Sequence, residues 1–275
     1  MTFRALAFLL APAYALIAQS GAAIKPTQTI HLFDGKTLDG FDTWLVDNQH
    51  KDPDRVFTVV DRIDGAPAIR VSGQGYGGII TKQQYRDYRL VVEYRWGGVT
   101  WGGRADRTRD SGILIHAQGR PGNSKKDFNG PWMLSAEFQI IEGGVGDIIL
   151  VGGYDDKGEL RRPTIKVKTR KDRDGETVYD PKGAEETISN RRINWWGRSE
   201  DWADKLNFRG PQDPDSPIQW WTRLEAVVEG GNLTYYVNGV LVNQARDCSL
   251  TEGKLLFQTE GAELYFRKID LEPLR

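Results

Sequence analysis

Apolar and polar residues alternate with a period of two along most of the chain. Between positions 88 and 96, Tyr88, Leu90, Val92, Tyr94 and Trp96 recur on one side, with Arg89, Glu93 and Arg95 on the other and Val91 between them. That period belongs to a strand with one buried face. Ile113 and Ile115 are expected to face away from Leu114 and His116, and Leu134, Ala136, Phe138 and Ile140 away from Ser135, Glu137 and Gln139. Leu224, Ala226 and Val228 repeat the pattern, as do Leu255 and Phe257, and residues 263–271 close the chain as a further strand. Asn238-Gly239 predicts a tight hairpin turn between residues 233–237 and 240–243. No long segment has a 3.6-residue period, and only short helical turns are expected, near residues 83–87 and 200–206. Many short strands joined by Gly-rich turns predict an all-β fold, a jelly-roll sandwich of two antiparallel sheets. The absence of a 20–50-residue repeat argues against a propeller.

The pattern breaks between about residues 152 and 219, a charged stretch rich in Gly and Pro that holds Trp195, Trp196 and Trp202. A disordered segment seldom carries clustered Trp. Loops and short strands folded over one sandwich edge are expected there, as a long insertion in a single domain spanning residues 24–275. At the other end, Arg4 precedes an apolar run from Ala5 to Ala18, and small residues follow at 18–23. This reads as a signal peptide over residues 1–23, too short to span a membrane. A secreted or periplasmic protein without stable membrane insertion is expected. Cys248 is the single cysteine, which excludes an internal disulfide and a thiolate-rich zinc site and reads as a buried small hydrophobe. The net charge of −1 makes nucleic acid an unexpected partner.

Two motifs fail on context. Gly73-Gln74-Gly75-Tyr76-Gly77-Gly78 spells a dinucleotide fingerprint but runs into strand-like Ile79-Ile80-Thr81 instead of a helix. Asp172-Arg173-Asp174-Gly175 matches part of a calcium loop and lacks the remaining ligands. No cofactor is defined, and a divalent metal, calcium or a transition metal, is left open without a ligand set. Glu137 is the most informative carboxylate, flanked by Ser135 and Gln139 opposite a wholly apolar face. Such a polar face is either plain solvent surface or the floor of a sugar cleft. Glu142 and Asp147 follow close behind, and paired carboxylates near Trp suit glycan chemistry. His116 reads equally as a satisfied structural histidine or a proton carrier.

These residues also resemble the 3-keto-disaccharide hydrolase domain family. Leu32-Phe33-Asp34-Gly35-Lys36-Thr37-Leu38-Asp39-Gly40 is similar to its opening motif, with Phe41 where members usually have Trp. Asp110-Ser111-Gly112-Ile113 resembles its Asn-Ser-Gly-Ile strand, with Asp for Asn. Glu137-Phe138-Gln139-Ile140-Ile141-Glu142-Gly143 resembles its central Glu-x-Gln strand, and Gln258 to Ile269 its closing strand pair. The resemblance implies a concanavalin A-like sandwich and action on 3-keto glycosides. A ketone at C3 acidifies the C2 proton; its removal gives an enolate that expels the C1 substituent, and water can then add back. On that basis His116 or Glu137 is expected as base and Glu142 as donor to the leaving oxygen. Gln139, Gln258 and Arg267 would hold the ketone oxygen or hydroxyls. Trp195 and Trp196 would stack on the sugar, and Asp147 and Glu260 would complete the substrate site.

Three readings follow: an enzyme cleaving modified or ordinary glycosides, a non-catalytic carbohydrate-binding module, and an envelope-associated interaction protein. The same architecture commonly binds sugar without reacting with it. Substitution of Glu137 separates the first reading from the second.

Overall fold

The computed structural model describes residues 21–274; the expected signal peptide lies, apart from its end, outside the described residues. The first strands are β1 (Ile30–His31), β2 (Phe41–Leu45), β3 (Phe57–Ile63), β4 (Ala66–Val71), β5 (Tyr76–Thr81) and β6 (Tyr88–Thr100). β7 (Asp110–Gln118), β8 (Leu134–Ile141) and β9 (Ile148–Val151) follow. Next come β10 (Gly153–Tyr154), β11 (Leu160–Arg161), β12 (Thr164–Lys171), β13 (Thr177–Tyr179), β14 (Ala184–Ser189) and β15 (Arg192–Ile193). β16 (Thr222–Glu229), β17 (Asn232–Val237), β18 (Val240–Ala245), β19 (Lys254–Glu260) and β20 (Ala262–Pro273) complete the chain.

The fold is all-β, a jelly-roll sandwich of two antiparallel sheets. One runs β18–β17–β16–β6–β20–β4–β3, with β1 also on β20; the other runs β15–β9–β8–β7–β19–β5–β2. The two last strands of the chain thus occupy interior positions, β19 between β7 and β5, β20 between β6 and β4. The alternation places the inner faces as expected. Tyr88, Leu90, Val92, Tyr94 and Trp96 meet Ala136, Phe138, Ile140, Ile113 and Phe257 in one core. Phe138 of one sheet lies flat on Tyr235 of the other, ring centroids 4.2 Å apart. At the β17–β18 turn Asn238 and Gly239 both have positive φ, 47° and 82°, as a two-residue hairpin requires. Cys248 is buried within the same core.

The expected helical turns are absent. Tyr85 instead makes backbone bridges to Ile24 and Gly253, burying its ring in the core, and residues 200–206 form bends and turns. The one helical segment among the described residues is a 3-10 turn at Gly102–Arg104. Residues 152–219 hold more regular structure than their sequence announces. β10 and β11 form a hairpin, and β12 pairs with both β13 and β14. β15 extends the seven-stranded sheet beyond β9. Ile165, Val167, Ile188 and Ile193 join the main core. Lys166 and Arg246 exchange backbone hydrogen bonds of 2.7 and 2.8 Å, so β12 covers the chain where it leaves edge strand β18. Covering an edge in this way satisfies its unpaired amides and carbonyls.

Candidate functional site

The outer face of the seven-stranded sheet carries the polar half of the alternation. Register sets its rows: Glu137 lies opposite Leu114, Gln139 opposite Gly112, and Gln258 opposite Gly78. This face is not plain solvent surface. Part of it is an apolar floor of Trp44, Ile80, Leu114, Met133 and Leu256. Trp44 Nε1 there donates to the Gly130 carbonyl (2.9 Å), tying down the loop between β7 and β8. Beside that floor lie Asp110, Glu137, Gln139 and Gln258, all buried.

Glu137 is the centre of this group. It sits above Gly112, where an added Cβ would lie 2.1 Å from Glu137 Oε1 and 2.6 Å from Gln258 Oε1. The missing side chain is therefore the space the carboxyl fills. Burial, then the neighbouring Asp110 charge, pushes the Glu137 pKa up to about 8, against the pull of Arg192 and Gln258. Asp110 is also raised by burial, although Arg104 pairs with it and Gln139 Nε2 donates to its Oδ1 at 2.7 Å. Glu260 stands further out, one-fifth of its side chain exposed and 3.7 Å from Arg104. Burial and the charges of Asp110 and Glu137 push it well up. Three carboxyls share one small volume, and like charges at close range disfavour full ionisation. Arg104 and Arg192 supply the compensating positive charge. Gln139 Oε1 and Gln258 Oε1 are buried without partners, acceptors that a protonated carboxyl or a sugar hydroxyl would satisfy.

The structure brings Glu137, Gln139, Gln258 and Glu260 together, with Asp147 adjoining them through the Gln139 backbone, and separates His116, Glu142, Trp195, Trp196 and Arg267 from them. His116 does not join the polar face. A bulge interrupts the β7–β8 register between Ile115 and Gln118, and His116 has a φ of 54°. Its ring is turned edge-on to Tyr88 of the main core, and its Nδ1 is 3.0 Å from the Leu250 carbonyl. Burial lowers its pKa to about 4, so it is neutral at pH 7.

Glu142 is a structural tie. Its Oε1 accepts from the Arg109 guanidinium (2.6 Å), its Oε2 from the Arg109 and Asn207 amides (2.9 and 3.0 Å). Both oxygens are thus engaged within the protein. Glu142→Gln is expected to cost about 2–3 kcal/mol in urea unfolding, because the buried Arg109 charge loses its partner. Asp147 plays a similar part, accepting from the Trp195 amide at 2.8 Å and from the Arg198 guanidinium. Arg192 lies 3.6 Å away from it and links this anchor to the carboxyl group around Glu137.

Trp195 offers no platform, since it is 0% exposed and part of the core. Trp196 is 40% exposed and packs toward Leu241 at the sandwich edge. Arg267 belongs to the opposite sheet, where it pairs with Glu93 at 2.6 Å and covers Trp221. The period of two correctly describes strands, yet it cannot show which sheet or which loop a given face meets. Asp110 was visible only as a departure within a motif. Arg104 and Arg192 come from irregular charged segments with no periodicity to mark them.

Among the described residues no group of three or more His, Cys, Asp and Glu is placed to hold a metal ion. Nor is any helix among them long and apolar enough to cross a membrane.

A family profile described as a 3-keto-alpha-glucoside-1,2-lyase-like domain matches residues 28–272. No curated protein matches the chain. Among solved structures it is similar to a Parabacteroides distasonis protein provisionally designated a glycosyl hydrolase. That pair shares 17% identity at a TM-score of 0.49, over 90% of this chain and 94% of that one. It is also similar to the Bacillus subtilis carbohydrate-binding module CBM66, at 12% identity and a TM-score of 0.43, over 85% of this chain and 95% of that one. A third is a Clostridium perfringens endo-β-galactosidase that releases GlcNAcα1-4Gal, at 8% identity and a TM-score of 0.44, over 91% and 63%.

Proposed function

We propose, from the premise that the chain belongs to the 3-keto-α-glucoside-1,2-lyase-like domain family, that it cleaves 3-keto glycosides by elimination and hydration, with Glu137 moving the C2 proton. The observation that carries this reading is the buried Glu137 carboxyl, seated over side-chain-free Gly112 beside Gln258. The ionised carboxylate removes the proton at C2, and the electron pair passes into the C3 carbonyl as an enolate. Collapse of the enolate forms the C1–C2 double bond and breaks the bond from C1 to the leaving oxygen. Addition of water at C1 and return of the proton to C2 complete a net hydrolysis. Glu260, which burial and the charges of Asp110 and Glu137 push toward the protonated form, is the donor to the leaving oxygen. Arg192, whose positive charge acts on Glu137, Asp110 and Glu260, would stabilise the developing enolate, the kind of prearranged stabilisation that commonly dominates such barriers.

A carboxylate of raised pKa is a stronger base but is less often ionised. With the Glu137 pKa at about 8, kcat/KM is expected to rise tenfold per pH unit below that value and to level off above it. A profile falling through pH 8 would make the protonated form the active one and reverse the role. The direct test is release of the leaving alcohol from a 3-keto glucoside by the purified protein, beside the unoxidised glucoside. The family reading requires turnover of the keto compound alone. Glycan affinity with no turnover of either would make this a carbohydrate-binding module. The same proposal takes residues 24–275 as one secreted or periplasmic domain, released from the leader expected at residues 1–23.

A further inference from the structure

A second feature suited to sugar lies at the sandwich edge, apart from the carboxyl cluster. Trp196 Nε1 donates to the Leu241 carbonyl at 2.7 Å, and its ring stands edge-on to buried Trp195, centroids 5.4 Å apart. The indole is therefore held in one orientation with its polar atom already satisfied, so what it presents to solvent is apolar ring. Gly197 follows, and a Cβ there would meet the Trp195 ring at 2.4 Å, so the chain at this point must stay small to keep both indoles in place.

Trp196, Tyr179, Pro181 and Leu241, with Arg170 and Asp180, line a cavity of about 340 Å³. It adjoins, at Tyr179 and Pro181, a second cavity of about 330 Å³ that reaches Asn232, Thr234 and Gln244. Together they form a groove between the small β12–β13–β14 sheet and β17–β18, with the Trp196 ring at one end and amide and hydroxyl groups among charged side chains at the other. Cavities of this size accommodate small ligands. Charges of both signs line the groove, Lys168, Arg170 and Asp180 among them, and part of this charge is already paired. Arg246 makes two bonds to Glu185 (2.6 and 2.8 Å), and Lys166 pairs with Asp247 at 3.0 Å. A rigid aromatic face beside amide, hydroxyl and mixed-sign charged groups, all of which hydrogen-bond hydroxyls, fits a neutral, hydroxyl-rich ring. None of Asp110, Glu137, Gln139, Gln258 or Glu260 lines either cavity.

The geometry points to an accessory binding site for a neutral linear oligosaccharide, with one ring on Trp196 and the next toward Asn232 and Gln244. It would hold a longer glycan against the domain, independently of the chemistry at Glu137.

Calorimetric titration of the full chain with cellopentaose, maltopentaose and laminaripentaose tests this. Binding of at least one is expected with Kd on the order of 0.1–1 mM. Trp196→Ala should weaken it about tenfold or more, Gln244→Ala by about threefold, while Trp196→Phe retains most of the affinity. A thermal melt of each variant establishes that it is folded, and Gln244→Ala carries the test if Trp196→Ala is not. Glu137→Gln should bind as the wild type does. No heat with any of the three sugars overturns the proposal. So does binding that survives Trp196→Ala and Gln244→Ala but disappears in Glu137→Gln, which would put the sugar at the carboxyl cluster.

Discussion

Glu137→Gln is expected to lower turnover of a 3-keto glucoside by about 10³-fold or more while the protein stays folded, the scale of losing a positioned acid–base group. The amide keeps the size of the carboxyl, and its NH₂ finds an acceptor in the partnerless Gln258 Oε1. The same substitution has a signature in stability. Glu137 titrates near 4.5 when unfolded and about 8 when folded. Below pH 4.5 it is protonated in both states and favours neither. Between 4.5 and about 8 the unfolded chain ionises first, so wild-type stability falls as pH rises, at up to about 1.4 kcal/mol per pH unit from this group alone. Asp215, raised by burial to about 7 despite its pairing with Arg209, contributes with the same sign. Urea melts at pH 4.5 and pH 8 should thus show the Gln variant gaining on the wild type as pH rises. A variant that keeps turnover removes Glu137 from the mechanism. One that loses turnover with no change in the pH slope of stability removes the account of its raised pKa.

Gly112→Ala carries the second large effect. The new methyl would occupy the place of the Glu137 carboxyl and press on Gln258, at 2.1 and 2.6 Å. Overpacking a filled interior typically costs about 1–3 kcal/mol, and the carboxyl must swing out of its seat to relieve it. A loss of activity of at least 10²-fold is expected, since a displacement of about 1 Å in a catalytic group is worth that much. The diagnostic comparison is Gly78→Ala on β5, across β19 from Gly112. There the added Cβ would meet Leu256 and the Phe257 carbonyl at 2.5 Å, so stability falls with no direct push on Glu137. Equal activity losses per folded molecule in the two variants would mean that Gly112 matters only for packing.

The architecture was legible because each strand reads independently. Tyr88 to Trp96 and Leu134 to Ile140 display their buried sides without reference to anything distant, and Asn238-Gly239 announces its own turn. The site was legible only where it lies on such strands, as with Glu137, Gln139 and Gln258. His116 escaped the alternation because one bulge and one positive φ reverse its direction. Trp195 looked like a binding aromatic because it sits among other Trp on the long insertion, yet its ring is fully buried in the main core. Arg104 and Arg192 owe their importance to the carboxyls that chain turns and strand pairing bring beside them, a relation no periodicity encodes.

The interior placement of β19 and β20 has a consequence for how the molecule comes into being. Without residues 254–273, β7 and β5 have no strand between them, and neither do β6 and β4. A growing chain at that stage holds two interrupted sheets with open, pairing-competent borders, a form prone to association with other chains. Closure waits for contacts between residues far apart in the sequence, which makes acquisition of the native state slow by the standards of local folds. Gln258 and Glu260 arrive with that final segment, so the polar group around Glu137 is completed by the same event that seals both sheets.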